Sequence, residues 1–257
     1  MTRVMVVPAA GTGTRLGREL PKVLVPVAGR PMLEHLLSLY ATSVERFVVV
    51  VNPAARHLVQ DFLAGRPEPV EVALQADPTG MLDALLAAAE PVRAFRPDRV
   101  WITWCDQVAV RPRTVANLIA AESGPDGPAL VMPTLLGEEP YIHFARDASG
   151  RIIGALQRRE SDPMPPVGES DAGLFSLSRS AFLEDLPAYA AMPHAGAITR
   201  ERNFIPFIPW LAASRAVLTF PCVDPMEAVG INTPEDLRRV EKYLRAGDAG
   251  GRRPGPR

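Results

Sequence analysis

The chain has 257 residues, 47% of them hydrophobic, with a net charge of −1 and a pI near 6.4. That is enough apolar mass for one large domain with a sizeable core, and too little positive charge for a nucleic-acid binder. The two cysteines, Cys105 and Cys222, fit neither a disulfide framework nor a metal-ligand spacing and suit a reducing cytoplasm, while no stretch approaches the roughly 18 apolar residues of a membrane span and the start after Met1-Thr2-Arg3 is too short for a signal core.

Strands and helices alternate through the first half. Strands are predicted at 4–7, 47–51, 70–74 and 100–103, and helices at 32–41, 55–63, 81–89 and 114–121. This alternation predicts βαβ units around a mostly parallel sheet. Runs such as Phe47-Val48-Val49-Val50-Val51 lack polar alternation, as expected of strands covered on both faces.

From residue 129 the pattern changes to strands at 129–133, 142–145, 152–157 and 173–177, with little helix between them. Ser149-Gly150 reads as a hairpin turn. A final helix is predicted at 235–245, with Thr233 as N-cap and Pro234 at its first position. The Gly-, Pro- and Arg-rich stretch 247–257 reads as a disordered tail. No repeat or linker interrupts the chain, so residues 1–246 read as one domain. The fold class is α/β: a Rossmann-like, mostly parallel mixed sheet with helices on both faces and a β-rich lobe.

The first strand runs into Pro8-Ala9-Ala10-Gly11-Thr12-Gly13-Thr14-Arg15-Leu16. A glycine-rich loop leaving a strand exposes backbone N–H groups that can wrap a phosphate chain. Arg15 adds a planar fork of donors and Lys22 a compact point charge. Of 28 Lys+Arg, only Lys22 and Lys242 are lysine. A lysine kept directly after Pro21, in a chain so biased to arginine, points to a task that a guanidinium is too wide for. Together these features point to a nucleoside-triphosphate site.

That loop, the Pro21-Lys22 step and the run Val23-Leu24-Val25-Pro26-Val27-Ala28-Gly29-Arg30-Pro31-Met32 resemble the sugar-phosphate nucleotidyltransferase family. The likeness is greatest to the uridylyltransferase domain of bacterial N-acetylglucosamine-1-phosphate uridylyltransferases, and it extends thinly to about residue 244. It implies a Mg²⁺-dependent transfer of a nucleotide to a phosphorylated small molecule, with release of pyrophosphate. Neither nucleic acid nor a membrane is implied as a partner. On this resemblance, residues 1–125 hold the nucleotide and 126–232 the acceptor. The backbone of Ala10, Gly11, Thr12, Gly13 and Thr14, with Arg15, would hold the β- and γ-phosphates, and Lys22 would bridge the α-phosphate and the acceptor phosphate. Asp106, in Trp104-Cys105-Asp106-Gln107, and Asn232, in Gly230-Ile231-Asn232, would be the metal ligands.

Gln75 ends a predicted strand five residues before Gly80. An amide both donates and accepts, so it can pair with a pyrimidine edge, and the resemblance gives it that role. UTP or dTTP is the expected nucleotide, with CTP open. On the acceptor side the resemblance implies Tyr141, Gln157, Asp171 and Gly173. Here the chain departs from the family: Ile142 stands where a glycine lies against the sugar, and Gln157 where a glutamate grips its hydroxyls. The acceptor is therefore expected to be another sugar phosphate, a cyclitol phosphate or a phosphonate, with Arg158 and Arg159 as candidate anion ligands. The run Asn203-Phe204-Ile205-Pro206-Phe207-Ile208-Pro209-Trp210-Leu211 reads as core beneath this pocket. His35, His57, His143 and His194 show no metal spacing.

Three other readings compete. A dinucleotide-binding oxidoreductase needs a third glycine where Leu16 stands, and an acidic end to the second strand where Val51-Asn52-Pro53 stands. A non-catalytic nucleotide-binding regulator of the same fold would not be expected to keep Arg15, Lys22 and Asp106 together. A molybdopterin-type cofactor nucleotidyltransferase fits the Asp106-Gln107 step but not the unbroken run from Pro21 to Met32. No hexapeptide repeat follows Leu244, so no acyltransferase activity is expected of these residues.

Overall fold

The computed structural model describes residues 1–11, 16, 20–77, 79–123, 127–193, 195–222 and 224–251, with only the backbone described at 248–251. Thr12, Gly13, Thr14 and Arg15 of the glycine-rich loop lie outside the described residues, as does His194.

An eight-stranded mixed sheet forms the middle layer. β1 (Arg3–Pro8) is followed by a small hairpin outside this sheet, β2 (Pro26–Val27) and β3 (Arg30–Pro31), then by α1 (Met32–Tyr40), β4 (Arg46–Val51), α2 (Arg56–Leu63) and β5 (Val70–Leu74). Next come α3 (Met81–Ala87), α4 (Ala89–Phe95), β6 (Arg99–Thr103) and α5 (Pro112–Ala121). β1 pairs in parallel with both β4 and β6, at Val6↔Val48 and Val6↔Ile102. The strand order thus runs from β1 through β4 to β5, then returns to the other flank of β1 with β6. Such a reversal opens a crevice at the carboxyl ends of the two central strands, where open α/β sheets bind ligands.

Side chains of β1 alternate between two cores, as the period of two in a strand dictates. Met5 and Val7 join one buried cluster with Leu33, Leu36 and Tyr40 of α1. Val4 and Val6 join the other, with Leu82 and Leu85 of α3. Each such aliphatic side chain contributes about 1.5–3 kcal/mol when fully buried. Both faces are covered, as the unbroken valine runs predict.

The second half adds β7 (Leu130–Glu138), the hairpin β8 (Ile142–Arg146) and β9 (Ile152–Gln157), β10 (Val167–Asp171) and β11 (Leu174–Ser178). A π-helical turn, Ala181–Asp185, leads into α6 (Leu186–Ala190); α7 (Phe207–Ala212), β12 (Val217–Pro221) and α8 (Pro234–Gly251) complete the chain. β7 continues past the expected end at 133, straight through Pro133. This is tolerated because β11 pairs only with Leu130 and Val131 while β10 takes over from Thr134, so the missing N–H falls where the partner changes. β10 and β12 escape prediction because Gly168, Glu169 and Pro221 are poor strand residues; pairing with β7 overrides that propensity.

The hairpin turns at Gly150, φ +83°, as Ser149-Gly150 predicts. It packs across β10, where Ser170 Oγ donates to the Ile142 carbonyl at 2.6 Å and His143 Nδ1 accepts from Glu169 N at 3.1 Å. Thr233 caps α8: its Oγ1 accepts from Asp236 N at 3.1 Å while Asp236 Oδ2 accepts from Thr233 N at 2.8 Å. The helix runs on to Gly251, past the expected end at 245 and through the first part of the expected tail; residues 252–257 lie outside the described residues. Among the described residues no helix is long and apolar enough to cross a membrane.

At the amino end of β1 and β6 lies a buried charge cluster. Glu122 accepts from Arg3 Nε at 2.9 Å, from Ser176 Oγ at 2.7 Å and from Trp101 Nε1 at 2.5 Å. The fully buried Arg99 donates to Ser176 and to the Pro128 carbonyl beside it.

Candidate active site

Three separate elements bring Lys22, Asp106 and Asn232 to one point in the crevice. Lys22 begins a 3-10 turn, Lys22–Leu24, anchored by the buried Val23 and Leu24. Asp106 leaves the end of β6, and Asn232 sits just before α8. Lys22 Nζ donates to Asp106 Oδ2 in a short contact, and to Asn232 Oδ1 at 2.9 Å. The Asp106 and Asn232 loops are stapled together. Ile231 N donates to the Asp106 carbonyl at 3.0 Å, Gln107 Nε2 to the Ala228 carbonyl at 2.9 Å, and Arg111 N to the buried Glu227 carboxylate at 2.8 Å. Gly230 packs closely here: a Cβ would lie 3.2 Å from Asn232 Nδ2 and 3.4 Å from Asp106 Oδ2, so the Asn232 side chain would have to give by a few tenths of an ångström.

A carboxylate oxygen and an amide oxygen converging on one ammonium form a hard-oxygen cation seat, so the residues present suit Mg²⁺. Among the described residues no group of three or more His, Cys, Asp or Glu could hold a metal alone. A divalent ion at Asp106 and Asn232 would need phosphate oxygens to fill its shell. Burial pushes the neighbouring Cys105 thiol up to about 12, so it stays protonated and is no nucleophile.

Ala9 and Ala10 continue from β1 in the phosphate-loop position. Ala9 N donates to the Val50 carbonyl at 2.7 Å, and Asn52 Nδ2 donates to the Ala10 carbonyl at 2.9 Å. Asn52 Oδ1 also accepts from Ala55 N at 2.9 Å. Asn52 therefore fixes where the glycine-rich loop departs, leaving Gly11 exposed. The Asn52-Pro53 turn signal at the end of β4 is the only trace of this role in the sequence.

Gln75, expected to read the base, is buried at the end of β5. Its Nε2 donates to the Gly80 carbonyl at 3.0 Å. Gly80 has φ +128°, and a Cβ there would sit 2.4 Å from the Arg202 carbonyl oxygen. Backbone bonds lock this crossing: Arg202 N donates to Thr79 O at 2.8 Å and Leu82 N to Arg202 O at 3.0 Å. Arg202 also pairs with Asp83. Gly80 is thus small for the sake of the protein's own backbone.

In the part expected to hold the acceptor, Ile142 and Gln157 face each other across the hairpin, and Arg158 N donates to the Tyr141 carbonyl at 2.9 Å. The Tyr141 ring is exposed. Asp171 is buried, and burial pushes its carboxyl up although Gly173 N donates to it at 2.8 Å. Gly173, φ +66°, makes room for Gln107: a Cβ would fall 1.1 Å from Gln107 Oε1. Trp104 packs against Phe175 and Phe204, with ring centroids 5.0 and 5.9 Å away. Phe204, Phe207 and Ile208 are buried in the core, as their pattern predicts.

Arg159 is paired with Glu201 at 3.0 Å. Beside it, Glu160 is a hub that the sequence did not reveal. It accepts from Ile198 N at 2.9 Å, Thr199 N at 3.2 Å, Thr199 Oγ1 at 2.5 Å and Asn203 Nδ2 at 3.2 Å. Burial alone would push this carboxyl up, but those donors together hold it at about 2. Glu160 and Arg202 make residues 196–203 a strap between the end of β9 and the turn before α3.

The profile of the MobA-like NTP transferase domain matches residues 5–188. The bifunctional protein GlmU of Pelotomaculum thermopropionicum is 30% identical over 253 residues, covering 95% of this chain and 52% of that protein. GlmU of Thermus thermophilus is 32% identical over 246 residues, covering 93% and 51%. The chain therefore spans about half the length of these curated relatives. HddC from Yersinia pseudotuberculosis superposes with a TM-score of 0.67 over 95% of this chain and 100% of its own, at 16% identity, a likeness of fold alone. The chain belongs to the MobA-like NTP transferase domain family and is a nucleotidyltransferase related to the GlmU proteins, as its N-terminal motifs led one to expect.

Proposed function

We propose that this protein is a cytoplasmic, Mg²⁺-dependent nucleotidyltransferase that joins a pyrimidine nucleotide to a sugar-1-phosphate or a similar phosphate or phosphonate acceptor, releasing pyrophosphate. The observation that carries this is the meeting of Lys22, Asp106 and Asn232 at the reversal point of the sheet, beside the start of the glycine-rich loop.

An acceptor phosphate oxygen forms a bond to the α-phosphorus, and the bond from that phosphorus to the bridging oxygen of the leaving pyrophosphate breaks. The nucleophile is already an anion, so no general base is required, and catalysis reduces to positioning and charge neutralisation. Lys22 would touch both the α-phosphate and the acceptor phosphate. Arg15 and the loop backbone would hold the outer phosphates. Asp106 and Asn232 would hold Mg²⁺, which supplies charge to offset that of the phosphates when bound.

Base choice rests on Gln75. Turning its amide over would set Oε1 against the Gly80 carbonyl, so that carbonyl holds the Nε2 end and leaves Oε1 as the atom to offer a base. Such an acceptor would suit the N3–H of uracil or thymine and repel the bare N3 of cytosine. UTP or dTTP is thereby favoured over CTP. The side chain of Ile142 next to Gln157 supports an acceptor other than the usual amino sugar phosphate.

The test is pyrophosphate release with Mg²⁺, crossing five nucleoside triphosphates with sugar phosphates, cyclitol phosphates and phosphonates. Turnover with one pyrimidine nucleotide, lowered about 10²–10³-fold in Asp106→Asn and Lys22→Ala, is the expected result. Turnover that survives both substitutions would overturn the assignment.

A further inference from the structure

The ammonium of Lys22 occupies the seat that the reading above gives to a divalent cation. We infer that Lys22 is the resident counter-ion of Asp106 and Asn232, and that a divalent metal enters only when nucleotide phosphates draw the ammonium away, so that metal and nucleotide bind as one unit. This rests on the assignment of Asp106 and Asn232 as the cation's ligands.

Asp106 Oδ2 and Asn232 Oδ1 are both engaged by the one Nζ. The side chains of Lys22 and Asp106 are only 14% and 15% exposed, so water screens the pair weakly. The seat cannot widen to admit a second cation beside the first. The Asp106 and Asn232 loops are joined by the Ile231–Asp106 and Gln107–Ala228 bonds, and the Lys22 backbone is held by the buried Val23 and Leu24. What can move is the four-carbon stem of Lys22. A swing of that stem carries the ammonium off the carboxylate and onto a phosphate, and leaves two oxygens free. One carboxylate and one amide offer a metal too little by themselves, so ejecting the ammonium without phosphate present gains little. The same argument accounts for lysine at this position: an arginine fork, wide and rigid, would keep a positive charge at the seat but would not leave it along the same path.

The experiment measures Mn²⁺ binding to the full chain by electron paramagnetic resonance, with Mn²⁺ as the spectroscopic substitute for Mg²⁺. The proteins are wild type, Lys22→Met, Lys22→Arg and Lys22→Met with Asp106→Asn. Wild type and Lys22→Arg are expected to bind Mn²⁺ alone weakly, and Lys22→Met at least tenfold more tightly. The added Asp106→Asn should abolish that gain. Water-proton relaxation should show Mn²⁺·UTP binding to wild type with Asp106 dependence. If Lys22→Met binds Mn²⁺ alone within twofold of wild type, while Mn²⁺·UTP still binds through Asp106, the counter-ion role is overturned and the metal site stands. If no variant shows Asp106-dependent Mn²⁺ binding, with or without UTP, the metal site falls and the inference with it.

Discussion

Gly80 and Arg202, 122 residues apart in sequence, are in backbone contact just before α3, where a Cβ on Gly80 would lie 2.4 Å from the Arg202 carbonyl oxygen and 2.6 Å from its nitrogen. Neither atom can yield, because both belong to the bonds with Thr79 and Leu82. Gly80→Ala combines this clash with a φ that L-residues avoid. It should destabilise the protein by about 3 kcal/mol. Urea unfolding of the variant checks this, and nucleotide affinity should fall with it as the strap lifts from the turn before α3.

Glu160 should make the strap acid-sensitive. Its carboxyl stands at about 2 in the folded chain against an ordinary 4.5, a depressed value. A depressed acid contributes stability that is present above the unfolded value and lost as pH falls toward the folded one. Wild type should therefore lose stability between pH 4.5 and 2 more steeply than Glu160→Gln. At neutral pH, Glu160→Gln should itself cost on the order of 2 kcal/mol, since charge-assisted bonds to Thr199, Ile198 and Asn203 are weakened. Unfolding curves across that pH range, for both proteins, are the measurement.

Gln75→Ala removes the oriented acceptor while Gly80 keeps its backbone bonds. The preference for UTP or dTTP over CTP, read as a ratio of kcat/KM, should fall about tenfold, the value of one oriented hydrogen bond. An unchanged ratio would mean that the base is read elsewhere.

Glu122→Ala should act on stability alone. It leaves Arg3 and the fully buried Arg99 without their carboxylate, and breaking a buried ion cluster on one side costs about 3–5 kcal/mol. The cluster lies at the amino ends of β1 and β6, away from the crevice. The folded fraction should keep its kcat, while the unfolding midpoint drops.

Much of the nucleotide half is written in local pattern. Valine runs with helical spacing between them specify βαβ units, because strand and helix periods are set residue by residue. Gly11 after a strand, Lys22 after Pro21 and the Thr233-Pro234 cap are equally local. What the tertiary structure decided are relations between distant segments. That Lys22, Asp106 and Asn232 meet at one point depends on β6 returning to the flank of β1 and on α8 docking through Glu241 to Ala28 N and through Tyr243 to Arg111 and Asp224. β10 and β12 exist only because β7 offers them partners, against the propensities of Gly168 and Pro221. Glu160 and Arg202 show no motif at all; their weight comes from burial beside donors and acceptors that arrive from distant segments, Ile198 and Thr199 for the one, Thr79 and Asp83 for the other. A sequence can announce a glycine's freedom, but only the folded chain shows whether a ligand or, as at Gly80 and Gly173, the protein itself fills the space.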